Sequence, residues 1–335
     1  MPNQPPPPDK HTRGQRIGVV LFQLGGPDSL DAVEPFLYNL FSDPDIIDFP
    51  LARLARRPLA RLVARNRAAK VRERYAQIGG RSPIIELTQR QAAALEQELQ
   101  KTLPARVFVA MRYWHPLTEE VVAEIERNSF DQLVLLPLYP QYSRVTTGSS
   151  LNEWNRRYQM AARNHIPVKT IQHYYDHPLY LEALTHNIHQ ALARFPAGES
   201  VHLVFSAHSV PAGIIQEGDP YQHHIEETVR LTMRQGGWPQ HPHTLCYQSK
   251  VGPGRWLKPM LHTTLESLRA AGARSVLVVP VAFVTDHIET VYEIDVEARE
   301  QARELGFTQF EIMPALNDSP RLIGALADLV LRTVN

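Results

Sequence analysis

The chain has 335 residues, of which 43% are hydrophobic and 21% charged, a balance typical of a globular protein with a sizeable core. Lys+Arg and Asp+Glu are both 35, so no overall positive charge recruits nucleic acid, and we expect no nucleic-acid partner. The single cysteine, Cys246, excludes an internal disulfide and any cysteine-only zinc or iron–sulfur site within one chain.

Secondary structure elements follow a regular alternation after a proline-rich segment, residues 1–15, which is predicted to be a disordered tail. Short apolar runs predict strands at Ile17–Leu24, Val107–Tyr113, Leu133–Leu138, Val168–His173, Val201–Ser206, Thr244–Gln248, Val276–Phe283 and Phe310–Met313. Amphipathic patterns predict helices at Leu87–Lys101, Glu119–Arg127, Leu179–Arg194, Ile225–Arg234, Lys258–Ala271, Ile288–Leu305 and Pro320–Val334. This alternation predicts an α/β fold with parallel sheets covered by helices on both faces.

Two stretches indicate that the chain repeats itself. LVLLPLYPQYS (133–143) and VLVVPVAFVTD (276–286) are both apolar strands with an early proline, followed by a polar loop and a helix. We therefore predict two related halves with a break near Asp176–Pro178, followed by a terminal helix at Pro320–Val334. No stretch reaches the ~18 apolar residues that a membrane span needs.

The segment TDHIETVYEIDVE carries Glu289, Glu293 and Glu297 at steps of four. In a regular helix these glutamates form a slanted stripe, whereas a π-bulge would align them in a column. Asp286 and Glu289 also fit the acidic start of a helix, so a solvated helix face remains an alternative.

Histidines offer further candidate sites. His208 ends the buried strand of VHLVFSAHSVP, where it is either a core histidine or, with Glu289, an open site for a borderline divalent metal and a proton acceptor. His223, His224, His241 and His243 do not end strands and are predicted to lie on the surface.

Residues 46–70 interleave leucine and isoleucine with many arginines. This pattern is typical of an ordinary surface helix, and equally of a basic amphipathic lip that contacts anionic lipid or an anionic, apolar ligand. Composition leaves both open.

Several motifs together resemble the ferrochelatase family, whose members insert ferrous iron into a porphyrin to make haem. The likeness runs from about Ile17 to Leu316 and is carried by LGGPDSLDAVEPFLYNLF, YAQIGGRSPI, MRYWHPLTEE, YPQYSRVTTGSSLN, FSAHSVP with GDPY, CYQSKVGPGRWLKP and VAFVTDHIETVYEID. The resemblance implies two similar Rossmann-like domains, residues 16–176 and 177–318, with a porphyrin cleft between them. It also implies a lip segment at about 36–70 in the first domain and a terminal helix at 319–335.

The resemblance also implies roles for single residues. His208 and Glu289 correspond to the catalytic and metal-site pair, with the porphyrin plane between them. Glu293 and Glu297, with Asp286 and His287, correspond to a proton or metal relay. The porphyrin-binding positions correspond to Arg112, Tyr113, Arg67, Tyr75, Ser82, Leu24, Phe283 and Trp256.

Cofactors, partners and location follow from the same resemblance. Cluster-bearing members have a cysteine where Arg144 stands and a C-terminal extension, so we expect no 2Fe–2S cluster and no permanently bound cofactor, with Fe(II) and protoporphyrin IX as substrates. A coproporphyrin or other tetrapyrrole chelatase and a non-catalytic porphyrin or haem carrier are the alternatives. We expect a cytoplasmic protein, with the lip as a peripheral contact at the inner face of the cell membrane. The oligomeric state stays open, with a monomer as the expectation.

Overall fold

The computed structural model describes residues 15–46, 52–161, 166–238, 241–250 and 254–334. The predicted tail therefore lies outside the described residues, except for its last position. Part of the predicted lip, residues 47–51, lies outside them as well. Within the described ranges, no helix is long and apolar enough to cross a membrane.

Two parallel sheets of the same topology form the centre of the fold. The first has the order β2-β1-β3-β4 and the second β6-β5-β7-β8, and every strand pairing in both is parallel. The strands are β1 (Ile17–Gln23), β2 (Ala105–Met111), β3 (Gln132–Pro137), β4 (Val168–Thr170), β5 (Val201–His208), β6 (His243–Gln248), β7 (Ser275–Pro280) and β8 (Gln309–Ile312). Each corresponds to a predicted strand, which confirms the α/β class and the repeated architecture.

Burial along the strands follows from their place in the sheets. Every residue of β1, β3 and β7 is buried, because helices cover both faces of a parallel sheet and leave no polar face. The short β4 lies at a sheet edge and is exposed along its whole length.

Helices cover the sheets and connect the strands. They are α1 (Val33–Phe41), α2 (Ala52–Gln77), α3 (Ile84–Gln100), α4 (Thr118–Ile125), α5 (Ser149–Ala161), α6 (Pro178–Leu192), α7 (Ala212–Gln216), α8 (Tyr221–Gln235), α9 (Leu261–Ala270), α10 (Arg299–Glu304) and α11 (Pro320–Val334). Each predicted helix is present with slightly shifted ends. Two helices begin as π-helix, at Arg144–Gly148 before α5 and at Glu289–Ala298 before α10.

One buried cluster joins the two halves of the chain. Leu95 of α3, Leu184 of α6 and Leu326 of α11 all belong to it, together with residues from both sheets. The last helix therefore packs against elements of both halves, while a domain boundary near residue 176 stays a prediction.

Candidate active site

A cavity of about 430 Å³ lies between α1 and α2 on one side and the carboxyl ends of β5 and β6 on the other. Ligands of parallel α/β folds bind at this end of the strands, and the volume lies in the range of small-molecule sites. The apolar part of its lining includes Phe36, Leu37, Leu40, Phe41 and Val71, and the polar part includes His208, Gln248, Ser249, Glu289, Glu293 and Glu297.

The last residue of β5 and the first residue of the second π-helical segment meet in this cavity. Nδ1 of His208 lies 2.8 Å from Oε2 of Glu289. The hydroxyl of Tyr221 donates to the carbonyl of His208 at 3.0 Å, which fixes the strand end. The side chains are 31% and 14% exposed, so the pair is partly shielded from water yet open to a ligand.

The contact differs from the expectation that a porphyrin plane separates His208 from Glu289. At 2.8 Å the two groups leave no room for a macrocycle between them. A porphyrin would bind beside the pair or push its members apart.

The acidic column predicted as one alternative is present. Glu289–Ala298 is π-helical, and it carries all three glutamates of the predicted column. Glu289, Glu293 and Glu297 all line the cavity. The side chain of Glu293 is only 21% exposed, so the solvated-face alternative does not hold for the inner two glutamates.

Arg74 of α2 contacts the outer part of this column. Its Nη1 lies 3.4 Å from Oε1 of Glu293, and its Nη2 lies 3.1 Å from Oε1 of Glu297. The guanidinium also stacks over the ring of Tyr292 at 5.4 Å. The basic helix of the first half thus neutralises part of the acidic column of the second.

Ser249 links the inner two glutamates. It follows β6 with φ at +64°. Its hydroxyl lies 3.0 Å from Oε2 of Glu289 and also makes a short contact with Oε2 of Glu293. A hydroxyl has one proton to donate, so it can satisfy both contacts only when one carboxyl donates to it.

The pKa values of these groups depart from their ordinary values. Burial opposes charge on His208, but the carboxylate of Glu289 outweighs burial and raises the His208 pKa. Burial likewise disfavours ionised Glu289, yet His208, His287 and Ser249 hold its pKa at about 2. Burial and the charge of Glu289 raise the pKa of Glu293 to about 7. At neutral pH, Glu289 is therefore ionised while Glu293 titrates.

His287 and Asp286 lie beside this column in different environments. The buried His287 has Nδ1 3.1 Å from the carbonyl of Thr285, which accepts the ring proton, and Nε2 4.0 Å from Oε2 of Glu289. Burial lowers the pKa of His287. Asp286 is hydrogen-bonded to Thr290 and Asn317 and is not among the described residues that line the cavity.

Comparison with known proteins gives the relationships of this chain. The family model for ferrochelatase matches residues 16–334. The chain belongs to the ferrochelatase family. The ferrochelatase of Aquifex aeolicus is 46% identical over 317 residues, which cover 95% of this chain and 99% of that protein. The ferrochelatase of Geotalea uraniireducens is 49% identical over 323 residues, 96% of this chain and 99% of that one. The resemblance drawn from the motifs is thus confirmed.

Solved structures show a shared fold at low identity. SirB from Bacillus subtilis with Fe3+ is 10% identical, with a TM-score of 0.54 and coverage of 95% of both chains. CbiX, described as the terminal enzyme for biosynthesis of siroheme in denitrifying bacteria, is 14% identical. Its TM-score is 0.50, and the match covers 96% of this chain and all of that one. This ferrochelatase-family chain therefore shares its overall fold with these two proteins.

Four of the positions that the ferrochelatase resemblance implies for porphyrin binding line the cavity: Leu24, Arg67, Tyr75 and Ser82. Ser82 sits against Gly26, where an added Cβ would lie 2.5 Å from the Cβ of Ser82, so glycine is needed for this close approach. Tyr75 is buried and hydrogen-bonded to Ser82, and burial raises its pKa. The Arg67 guanidinium lies 5.6 Å from the centre of the Phe41 ring.

Arg112 and Tyr113, also implied for porphyrin binding in the ferrochelatase family, lie elsewhere in this structure. Nη2 of Arg112 lies 2.8 Å from Oδ1 of Asp43, and the hydroxyl of Tyr113 donates to Oδ2 of Asp43 at 2.6 Å. Asp43 is fully buried, and a buried carboxylate requires such partners. Neither residue is among the described ones that line the cavity.

A second cavity of about 100 Å³ adjoins the first. Leu24, His208, His287 and Glu289 line both, so these side chains stand between the two spaces. Phe283 lines the second cavity, and the centre of its ring lies 4.4 Å from the centre of the His287 ring. Trp256 forms a bridge with Pro211 and is not among the described residues that line either cavity.

One surface prediction is wrong. His224 is 6% exposed, its Nδ1 accepts from the backbone N–H of Tyr142 at 3.2 Å, and its ring stacks on Tyr175. Burial lowers its pKa to about 4, so it is a neutral core histidine. Over the described ranges, no group of three or more His, Cys, Asp or Glu is arranged to hold a metal ion.

Sequence reasoning missed Arg74 and Ser249. Ser249 belongs to YQSKVGPGRW, a polar loop at a strand end, and that position was a usable signal. Arg74 is one of many arginines on α2, and its partner Glu293 is 219 positions away. No local pattern distinguishes it.

Proposed function

We propose that this chain inserts Fe(II) into protoporphyrin IX, forming protohaem and releasing two protons, as the last step of haem biosynthesis. The observation that carries the proposal is the His208–Glu289 pair in a largely apolar cavity, continued by Glu293 and Glu297. An imidazole and a carboxylate are suitable ligands for a borderline metal that must be handed over rather than retained.

Metal binding at this pair requires the loss of a proton. At neutral pH the raised pKa of His208 and the low pKa of Glu289 favour an imidazolium facing a carboxylate. Fe(II) and this proton compete for the same groups, because a metal ligand must be deprotonated. In this proposal, iron enters as the proton leaves, and the His208–Glu289 contact opens.

The two pyrrole protons leave along the acidic column. Glu293 has a pKa of about 7, so it can accept a proton and release it again near neutral pH. Ser249 connects it to Glu289, and Glu297 extends the column to a side chain that is 44% exposed. Glu289, Glu293 and Glu297 thus form a route from the metal pair to solvent.

The lining favours protoporphyrin over coproporphyrin. Phe36, Leu37 and Leu40 offer an apolar wall that suits vinyl groups. Among the described residues, the cations Arg67, Arg74 and Lys250 line the cavity, and Arg74 is occupied by Glu293 and Glu297, which leaves Arg67 and Lys250 to meet propionates. Coproporphyrin carries four propionates against two in protoporphyrin, so it would bury more charge than these cations can match.

A competition experiment tests this preference. The enzyme is given equal amounts of both porphyrins with Fe(II), and the two metallated products are separated and quantified. We expect protohaem to predominate, and a majority of coprohaem would favour the alternative substrate. A carrier without chemistry would instead shift the porphyrin absorption once, at one equivalent, with no turnover.

Site-directed variants test the catalytic pair. We expect His208→Ala and Glu289→Gln each to lower metallation at least ~100-fold while porphyrin binding and folding persist. His115 and Glu120 form a similar pair, 2.9 Å apart, but both are well exposed and lie outside the cavity lining. His115→Ala and Glu120→Gln are therefore matched controls that should retain activity. Near-full activity in both cavity variants would refute the assignment.

We further propose that α2 forms the lip of a cytoplasmic enzyme and contacts the inner face of the cell membrane peripherally. Leu59 and Leu62 are exposed on a helix whose first turns contain arginines and no acidic residue. Apolar side chains among cations match an anionic lipid surface.

A further inference from the structure

Asn317 holds Asp286 by two hydrogen bonds. Its Oδ1 accepts from the backbone N–H of Asp286 at 3.0 Å, and its Nδ2 donates to Oδ2 of Asp286 at 2.9 Å. The carboxamide therefore engages the backbone and the side chain of the same residue.

The other carboxylate oxygen of Asp286 is also occupied. Thr290 donates its hydroxyl proton to Oδ1 of Asp286 at 2.8 Å, and the same hydroxyl accepts from the backbone N–H of His287 at 3.1 Å. These bonds close the turn at residues 286–290, which contains Glu289. Asp286 is not among the described residues lining either cavity, so it has no contact with the space where iron and porphyrin would meet.

Asn317 is in turn anchored to the first half of the chain. Its backbone has φ at +43°, a conformation that asparagine tolerates better than most residues. Its carbonyl accepts from Nε2 of Gln91 of α3 at 2.9 Å, and Oε1 of Gln91 accepts from the hydroxyl of Thr285 at 3.0 Å. Gln91 and Thr285 are buried, so water does not compete for these bonds.

We propose that Asp286 and Asn317 form a positioning clamp for iron insertion, which fixes the 286–290 turn so that Glu289 meets His208, and that Asp286 transfers no proton. The clamp rests on the proposed function. A small displacement of a reacting group is costly, since about 1 Å of misplacement can lower a rate ~100-fold. Gln91 of α3 anchors the clamp from the first half of the chain.

A residue swap separates positioning from proton transfer. Asn317→Asp places two carboxylates against each other and should lower kcat about 10-fold or more, with the porphyrin KM nearly unchanged. The double variant Asp286→Asn with Asn317→Asp restores one carboxylate facing one carboxamide. It should recover kcat to within about 3-fold of the wild type, because every bond of the clamp can form again.

A carboxylate at position 286 is essential if Asp286 carries a proton. In that case the double variant stays as slow as Asn317→Asp although it folds and binds porphyrin, and the proposal is overturned. Wild-type kcat in Asn317→Asp would overturn it as well. Asn317→Gly keeps the left-handed backbone and removes the carboxamide, so it should lower kcat about 10-fold, and an unchanged kcat would contradict the clamp.

Two controls complete the design. Asn187 donates to the carbonyl of Pro314 at 2.9 Å, close to the same segment but outside the site. Asn187→Asp makes the same chemical change and should leave kcat unaltered. His208→Ala, measured in parallel, tests the proposed function separately, because its loss of metallation does not depend on the clamp.

Discussion

Nδ1 of His208 and Oε2 of Glu289, provided by β5 and by a π-helical segment 81 positions later, lie 2.8 Å apart at the boundary of two cavities. Their pKa values move in opposite directions, as expected for an ion pair that is partly shielded from water. The pair is thus an electrostatic contact in this structure, and in the proposed function it becomes a set of metal donors once its proton has left.

The stability supplied by this pair should depend on pH. The pKa of His208 is raised, so its contribution is complete below its unfolded value of 6.5 and is lost as pH rises through the folded pKa. The pKa of Glu289 falls from 4.5 to about 2, so its contribution is present above 4.5 and is lost as pH falls towards 2. The free energy of unfolding of Glu289→Gln, measured by denaturation, should fall furthest below that of the wild type between pH 4.5 and pH 6.5. We expect this difference to be on the order of 1–3 kcal/mol. A deficit independent of pH would contradict the ion pair.

Glu293 should control the pH dependence of activity near neutrality. Its pKa of about 7 lies above the ordinary 4.5, so the native state holds an extra proton between these values and stability falls as pH rises through this window. As a proton acceptor it must be ionised, so kcat should rise with pH around 7. Glu293→Gln should remove that rise and lower kcat about 10-fold at pH 8. A pH–rate profile that retains the rise would assign it to another group.

Arg74, in the first half of the chain, should influence the pH at which Glu293 ionises and kcat rises. Its charge lowers the Glu293 pKa, so Arg74→Gln should raise that pKa and move the rise in kcat to higher pH. Activity at pH 7 should fall about 3- to 10-fold. Arg72→Gln is the matched control on the same helix, since Arg72 pairs with exposed Glu34. If both variants shift the profile equally, the effect is one of overall charge.

Ser249 allows its hydroxyl and its backbone to be tested separately. Ser249→Ala and Ser249→Gly both remove the hydroxyl that joins Glu289 and Glu293, so both should lower kcat by a similar factor, about 10-fold. Only glycine relieves the positive φ of +64°, so the glycine variant should be more stable than the alanine variant by about 1 kcal/mol. Thermal unfolding and steady-state rates measure the two effects. Full activity in either variant would contradict a role for the hydroxyl.

The lip should bind anionic vesicles. Leu59 and Leu62 are 41% and 57% exposed, and exchanging both for serine should weaken binding to phosphatidylserine-containing vesicles about 10-fold while activity on soluble porphyrin persists. Met160, exposed at 83% on α5, provides the control, because Met160→Ser removes apolar surface away from α2. Cosedimentation measures the binding, which should also weaken with salt. Equal binding by both variants would exclude the lip as the contact.

Local patterns were sufficient for much of the fold and for the central pair. The apolar runs of β1, β3 and β7 marked buried strands, because a parallel sheet covered on both faces leaves no polar side. Motifs at strand ends selected His208 and Glu289, and the spacing of Glu293 and Glu297 already allowed a π-helical column.

Only the tertiary structure decided which distant charges and amides meet. Arg112 and Tyr113 bind the buried carboxylate of Asp43 and are not among the described residues that line the cavity, although their motif implied porphyrin contact. Arg74 reaches Glu293, and Asn317 clamps Asp286, across separations that no periodic pattern records. Periodicity reports which face of an element is buried, whereas hydrogen bonds and ion pairs between elements depend on how those faces are brought together in space.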